Sequence, residues 1–389
     1  MDSLIVALGN IIDWMGTAVL LTIIVLAVKP LSHSFCVNIK TSVLILFYKL
    51  IFMILYIIYS FDAKSDAYSY YYGYIENVNN WYLGTGFIIE FTQALRNYFY
   101  LSYFNVSLIY TFVSFVAFIV LISTFNQLYG RHGIVSKFLC SILFFPSFNL
   151  WTSGIGKDSI IALGLSILLY CIMLKKNNVL LIMVALLLIG AARPSQLAIV
   201  CVSLLTYQII FFKSPRANSL VYFMGGTFGC LLACVVLFRY VGFDGIPSFQ
   251  SVIDYINYRS SLNTSGRLSY FNQFHNINFR YIAYVIRPNI IDVFNANEFG
   301  LIYFAWVLEG TAITAFTIYC IFCAFQRKHV LVSSGHFFCL LYSVVGLVLL
   351  ASVTSNIGIS VRQKWMILPF MFVFIGAFGH RRPFIETRQ

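Results

Sequence analysis

Long apolar stretches alternate with short polar connections along the whole chain, and few of them contain a charge. A run of about 20 apolar residues in a helix spans about 30 Å of hydrocarbon. The pattern therefore predicts an all-α fold, a polytopic transmembrane helical bundle that forms one domain over residues 1–389. By this length rule we expect about eleven helices, at 12–28, 42–60, 105–125, 137–151, 158–174, 177–192, 195–212, 218–239, 299–324, 332–353 and 364–379.

Composition supports a helical membrane protein and argues against two other classes, an outer-membrane barrel and a fold held by disulfides or a metal ion. Hydrophobic residues make up 60% of the chain and charged residues 10%, and the mean hydropathy is +0.86. No segment shows the apolar–polar alternation of an outer-membrane barrel strand. The nine cysteines fall mostly in apolar runs, so they predict neither a disulfide framework nor a metal site.

The charges divide by side of the membrane. Short basic loops belong in the cytoplasm, and on the side that carries them the only acidic residue is Glu386. We therefore expect the N-terminus on the outer side of the membrane and the C-terminus in the cytoplasm. Two long outer loops are expected, at 61–104 and 240–298. The short basic loops on the cytoplasmic side explain the net charge of +12, so no nucleic-acid partner is predicted.

The stretch WTSGIGKDSIIAL, at 151–163, places two charges where a helix should enter lipid. It is not a nucleotide loop, because that motif needs GxxxxGK[ST] after a strand. Gly154 and Gly156 allow close backbone approach, and Asp158 or Ser159 is expected to cap the helix. The free N–H groups and Lys157 then form an anion site. The alternative is a capped helix with a lysine that snorkels to the surface.

Two Arg–Pro pairs are further candidates. Arg193 lies in a tight turn between two predicted spans, and Arg287 lies in the apolar stretch 281–294, which is too short to span. A guanidinium binds phosphate through a planar fork, and a re-entrant helix could lead Arg287 into a cavity. The alternative for Arg193 is an interfacial arginine without a catalytic role.

The second long loop carries four more candidates. Arg259, Arg267 and Arg280 are each more typical of solvated loop charges, although they could bind an anionic substrate. His275 could carry a proton, but a lone histidine is more often structural.

The last third of the chain places charges at membrane level. Glu309 needs a partner at that depth, such as Arg287 or Arg193, and a structural ion pair is as good an interpretation as a functional one. Arg362 and Lys364 are predicted to begin the last helix from the outer side, against the positive-inside trend.

The first long loop offers paired carboxylates. Asp62 and Asp66 are four residues apart, so a helical continuation would put them on one face. Such a pair can hold a divalent metal or act as acid and base, although loop capping explains it equally well. The nearby tyrosines suit an interfacial belt or stacking on sugars; they are Tyr68, Tyr70, Tyr71, Tyr72 and Tyr74.

Several of these segments together resemble a known family. The runs FFPSFNLWTSGIGKDSIIALG, AARPS, IRPN, LEGTAI and VRQKWMILP are similar to those of Wzy-type polymerases of O-antigen and capsule repeat units, in scattered patches over 60–370. The resemblance implies an inner-membrane glycosyltransferase that transfers a glycan from undecaprenyl diphosphate to a newly flipped lipid-linked unit at the periplasmic face. It implies no nucleotide sugar, no metal and no other cofactor, and a chain-length regulator as a partner beside the bilayer. It assigns the binding of the diphosphate and the glycan to Arg193, Arg287 and Arg267, with a supporting contribution from Lys157.

The candidate residues fall into two groups and leave two rival functions. The catalytic candidates are Arg193, Arg287, Asp158, Asp66 and Glu309, of which the three carboxylates compete for the role of base. The substrate-binding candidates are Lys157, Arg267, Arg280, Arg362, Lys364 and His275. One rival is a glycosyltransferase that uses a polyprenyl-phosphate sugar, with Asp62 and Asp66 at its site. The other is a flippase for lipid-linked oligosaccharides, disfavoured because no inverted repeat is visible.

Overall fold

The computed structural model describes residues 6–7, 9–73, 83–174, 178–211, 277–289, 301–326, 333–354 and 357–379, with isolated positions between 235 and 258. Within these residues every regular element is a helix. The candidates Arg259, Arg267 and His275 lie outside the described residues, as does nearly all of the predicted span 218–239. Arg280 lies in a helix, but its side chain is not among the described ones.

The described helices confirm the predicted all-α class. They are α1 (Ile11–Ser34), α2 (Ile39–Asp62), α3 (Asp66–Tyr72), α4 (Thr85–Phe99), α5 (Tyr103–Tyr129), α6 (Ile134–Ile142), α7 (Pro146–Thr152), α8 (Lys157–Met173), α9 (Val179–Ala192), α10 (Pro194–Phe211), α11 (Ile277–Ile286), α12 (Leu301–Gln326), α13 (Ser334–Val353), α14 (Ile357–Lys364) and α15 (Leu368–Gly379).

Five of these helices are long and apolar enough to cross a membrane, namely α1, α2, α5, α12 and α13. Two bent pairs raise the number to seven when each pair is counted as one span. The chain is therefore a multi-pass helical membrane protein.

Two predicted spans, 137–151 and 364–379, are broken in the structure. The first is the pair α6 and α7, bent by 48°, and the second is α14 and α15, bent by 61°. Pro146 begins α7, and a proline disfavours the helical conformation of the residue before it. Pro369 is the second residue of α15 and follows a turn at 365–367, so it lies just after the bend.

The predicted loop 61–104 is largely helical, because it contains α3 and α4. Tyr70 and Tyr71 are buried, so these two rings pack inside the protein and offer no face for sugar stacking. The Tyr71 hydroxyl donates to the carbonyl of Leu101 at 2.9 Å, and the guanidinium of Arg96 lies 5.0 Å from the centre of its ring. Burial raises the pKa of Tyr71 to about 12, so this phenol stays neutral at physiological pH.

Two compact units make up the chain that the sequence predicts as one domain. The first comprises Met1–Arg131 and Cys140–Leu197, and the second comprises His132–Leu139 and Ala198–Gln389. In the first unit α5 is central: it is buried over most of its length and packs against α8, α2 and α1. In the second unit α15 packs against both α12 and α13.

Polar contacts join the helices of the first unit in its interior. Thr17 of α1 donates to Asn105 of α5 at 2.6 Å, and the hydroxyls of Ser60 and Tyr103 lie 2.7 Å apart. Interhelical bonds of this kind are a main source of association for helices in lipid, where there is no hydrophobic drive between them.

Candidate functional site

The start of α8 carries the two charges that the sequence singles out, but their arrangement differs from the prediction. Gly156 is the residue before the helix, and no side chain caps it. The expected cap by Asp158 or Ser159 is therefore wrong. The Ser159 hydroxyl donates to the carbonyl of Gly156 at 3.1 Å, and the Asp158 carboxylate faces another partner.

That partner is Arg193, which follows α9. Its Nη2 donates to Oδ1 of Asp158 at 3.0 Å. The pair is largely withdrawn from solvent, with 17% of the Arg193 side chain and 5% of the Asp158 side chain exposed. Two residues that are 35 positions apart thus form one ion pair at adjacent ends of α8 and α9. The two predicted sites, GIGKDS and AARPS, are brought together.

The first turn of α4 completes this cluster, and it was not predicted from the sequence. The Nζ atom of Lys157 donates to Oγ1 of Thr85 at 2.6 Å, and the backbone N–H of Gly84 donates to the carbonyl of Ala191 at 2.7 Å. No side chain caps α4 either. The only signal was a glycine and a threonine before an amphipathic stretch, which is common in loops.

The cluster of Thr85, Lys157, Asp158 and Arg193 therefore joins two cations to the starts of two helices. A helix start carries about half a positive charge from its free N–H groups. One carboxylate opposes the two cations. The balance of charge in this part of the first unit is positive, and it suits an anionic ligand of the phosphate type.

The two glycines of the preceding turn play different parts. A Cβ atom on residue 154 would overlap the ring of Tyr56, so Gly154 lets α2 approach the turn closely. A Cβ atom on residue 156 would meet no atom of the described residues within 4 Å, so nothing in this part of the chain fills the space beside the start of α8. Close approach was expected at both positions and is found at Gly154.

The matched pair Gly154→Ala and Gly156→Ala tests this packing. We expect Gly154→Ala to cost about 1–3 kcal/mol of unfolding free energy, because the aromatic ring must move to admit the methyl group. Gly156→Ala should leave stability within about 1 kcal/mol of wild type. Thermal unfolding of the detergent-purified full chain measures both, and equal midpoints for the two variants would contradict the packing.

The second unit holds a separate cluster around Lys364. This side chain is only 2% exposed, its Nζ donates to the carbonyl of Arg287 at 3.2 Å, and it interacts electrostatically with the buried carboxylate of Glu309. Lys364 was not among the partners expected for Glu309. Gly310 lies beside this cluster, and a Cβ atom there would overlap the carbonyl of Pro288, so α12 passes very close to the turn that carries Arg287.

The placement of Arg362 and Lys364 corrects the sequence prediction. Both lie in the last turn of α14, and the final helix starts only at Leu368. Basic residues in a last turn interact favourably with the negative end of the helix. Arg287 follows α11, a short helix that ends at Ile286 and therefore overlaps only the first part of the predicted stretch 281–294, of which residues 290–294 lie outside the described residues.

Asp62 and Asp66 do not share a helix face. α2 ends at Asp62, α3 begins at Asp66, and Lys64 between them has a φ of 44°. Both carboxylates are exposed. Within the described residues no group of three or more His, Cys, Asp or Glu side chains could hold a metal ion.

No protein-family model, curated protein or solved structure matches this chain. Function is therefore inferred from its own residues and from the resemblance described above.

Proposed function

We propose that this protein is a membrane glycosyltransferase that joins lipid-diphosphate-linked oligosaccharide repeat units at the periplasmic face of a bacterial inner membrane, as an O-antigen, capsule or exopolysaccharide polymerase. The observation that carries the proposal is the buried Asp158–Arg193 pair with Lys157 at the start of α8. Charged residues inside a membrane bundle are expensive and are usually functional.

The lengths of α8 and α9 support a site that is recessed from the surface. With 17 and 14 residues, these helices extend about 25 and 21 Å, and the hydrocarbon layer is about 30 Å thick. Their connection carries Lys175 and Lys176, which predict the cytoplasmic side. The opposite ends, with Lys157 and Arg193, then stop short of the periplasmic surface. A lipid diphosphate, whose charge sits at the membrane boundary, would meet cations at that level.

The proposed reaction breaks one bond and forms another at the anomeric carbon of the donor glycan. A hydroxyl oxygen of the acceptor sugar attacks this carbon, the bond to the diphosphate oxygen breaks, and the lipid diphosphate leaves with the electron pair. The acceptor proton passes to a carboxylate. In this scheme Arg193 and Lys157 stabilise the leaving diphosphate, which is where negative charge develops.

Asp158 is our leading candidate for the base in the first unit, since it adjoins both cations. A base must lie within hydrogen-bond reach of the proton that it accepts. Asp66 is less favoured because it is exposed and lies at the start of a short helix. The rival that uses Asp62 and Asp66 loses support for the same reason.

Polysaccharide ladders from a deletion strain test the proposed function. The deletion strain should carry surface glycan limited to a single repeat unit, and the wild-type gene should restore a ladder of longer products. A strain without any complete repeat unit would overturn the proposal, because the protein would then act before polymerisation, in sugar addition or in flipping.

A further inference from the structure

Lys49 is a charged residue in the middle of a membrane span. It lies in α2, a candidate span of 24 residues, and its side chain is completely buried. An ionisable side chain at this depth carries a large desolvation cost. Lys49 is not among the candidates predicted from the sequence.

The contacts of Lys49 tie three helices of the first unit together. Its Nζ donates to Oγ1 of Thr152, at the end of α7, at 2.5 Å, and it lies 3.7 Å from the centre of the Phe118 ring of α5. The Thr152 hydroxyl in turn donates to the carbonyl of Phe148 at 2.6 Å. In the described part of the chain no acidic side chain forms an ion pair with Lys49.

Thr152 is the last residue before the turn that leads into Lys157. Residues 153–156 form this turn, and α8 begins directly after it. Two other contacts hold the same turn: Tyr56 packs against Gly154, and the Thr111 hydroxyl donates to the carbonyl of Ser153 at 3.0 Å. Tyr56 lies two helical turns beyond Lys49, so one face of α2 contacts both the beginning and the middle of this connection.

Stability alone does not account for a lysine at this position. Replacing a buried ionic group by an apolar side chain of similar volume is often neutral or stabilising. A methionine would fill the same space against Phe118 without the desolvation cost. What it could not do is donate a hydrogen bond to Thr152.

We propose that Lys49 is a positioning residue, whose hydrogen bond to Thr152 fixes the turn 153–156 and thereby the placement of Lys157 and Asp158. Its effect on catalysis rests on the proposed function; its effect on the turn does not. The hydrogen bond at the end of α7 sets where α8 starts, so its loss should first displace the charged residues at the start of α8.

The test uses the full-length chain in membranes, with Gly156→Cys as a reporter of the turn. A Cβ atom at this position would meet no atom of the described residues within 4 Å, so we expect the cysteine to be tolerated. The measured quantity is its rate of modification by an anionic methanethiosulfonate. Lys49→Met and Thr152→Val should each change this rate by about tenfold, the effect expected for the loss of one buried hydrogen bond.

Three comparisons make the test specific. Thr152→Ser keeps the accepting hydroxyl and should retain the rate of the reporter alone. Lys40→Met removes an exposed lysine from the same helix and should do the same. The double variant Lys49→Met/Thr152→Val should match Thr152→Val, because Thr152→Val already removes the bond to Lys49 as well as the bond within α7 to the carbonyl of Phe148.

Equal modification in all variants, including no modification in any of them, would overturn the proposal, and so would additive effects in the double variant.

Glycan ladders give the second readout. Lys49→Met should shorten or abolish the ladder while its unfolding midpoint stays at or above that of wild type. A full ladder would overturn a positioning role in catalysis. If the deletion strain shows that the chain is no polymerase, the modification rates still decide whether Lys49 holds the turn.

Discussion

Replacing Arg193 by methionine is expected to abolish the polymer, leaving the single repeat unit of a deletion strain. The substitution removes the guanidinium that we assign to the leaving diphosphate. It also leaves the Asp158 carboxylate buried without its ion-pair partner, at a cost of about 3–5 kcal/mol. Loss of polymer from this single variant could therefore reflect lost folding as well as lost chemistry. Protein level in membranes must be measured together with the ladder.

The double variant Arg193→Met/Asp158→Asn separates the two effects. It removes both charges of the pair, so the uncompensated carboxylate is gone and the protein should insert and unfold near the wild-type midpoint. We expect it to fold without producing polymer. A folded double variant with a full ladder would mean that the pair is only structural. Arg193→Lys keeps the charge but loses the planar fork, so it should retain part of the activity.

Lys364→Met is expected to destabilise the second unit by about 1–3 kcal/mol, since it removes a buried ammonium that interacts favourably with the Glu309 carboxylate. It also removes the donor to the carbonyl of Arg287. Glu309→Gln, which keeps the shape of the side chain, should cost less. Unfolding midpoints of the purified full chain give both values.

The double variant Glu309→Leu/Lys364→Met decides whether Glu309 is a base or a structural partner. We expect it to recover most of the lost stability and to produce measurable polymer, because Glu309 is buried in the core and interacts electrostatically with Lys364. A double variant that folds but makes no polymer would instead support Glu309 as the base. If the losses of stability in Glu309→Leu alone and in Lys364→Met alone add up to the loss in this double variant, the two side chains do not interact.

The helices of the bundle could be predicted from the sequence because apolar length is a direct consequence of the bilayer. Prediction was accurate for α8 and α9, because the apolar runs 158–174 and 177–192 begin and end within two residues of the observed helices. It was less accurate where a proline divides one apolar run, as at Pro146, since hydropathy is the same on both sides of a bend. It also missed α3 and α4, whose mixed polarity is typical of loops.

The candidate site was predictable only in part, because contacts between distant residues are not visible in a single sequence. Lys157 and Arg193 were identified from their charge at helix ends, but their proximity to each other was not predicted. The ion pair with Asp158 could not be read from spacing, and a helix cap was the natural expectation for an aspartate in a first turn. Lys49 was identifiable as the charge inside an apolar run, but its hydrogen bond to Thr152 required the fold.

The most direct test of the proposed chemistry is the identity of the lipid that leaves. The purified full-length chain in vesicles would be given lipid-diphosphate-linked repeat units, and the released lipid would be analysed by mass spectrometry. We predict one polyprenyl diphosphate for each glycosidic bond formed, and none from the folded Arg193→Met/Asp158→Asn variant. Release of a polyprenyl monophosphate, or bond formation without any released diphosphate, would contradict the proposed polymerase.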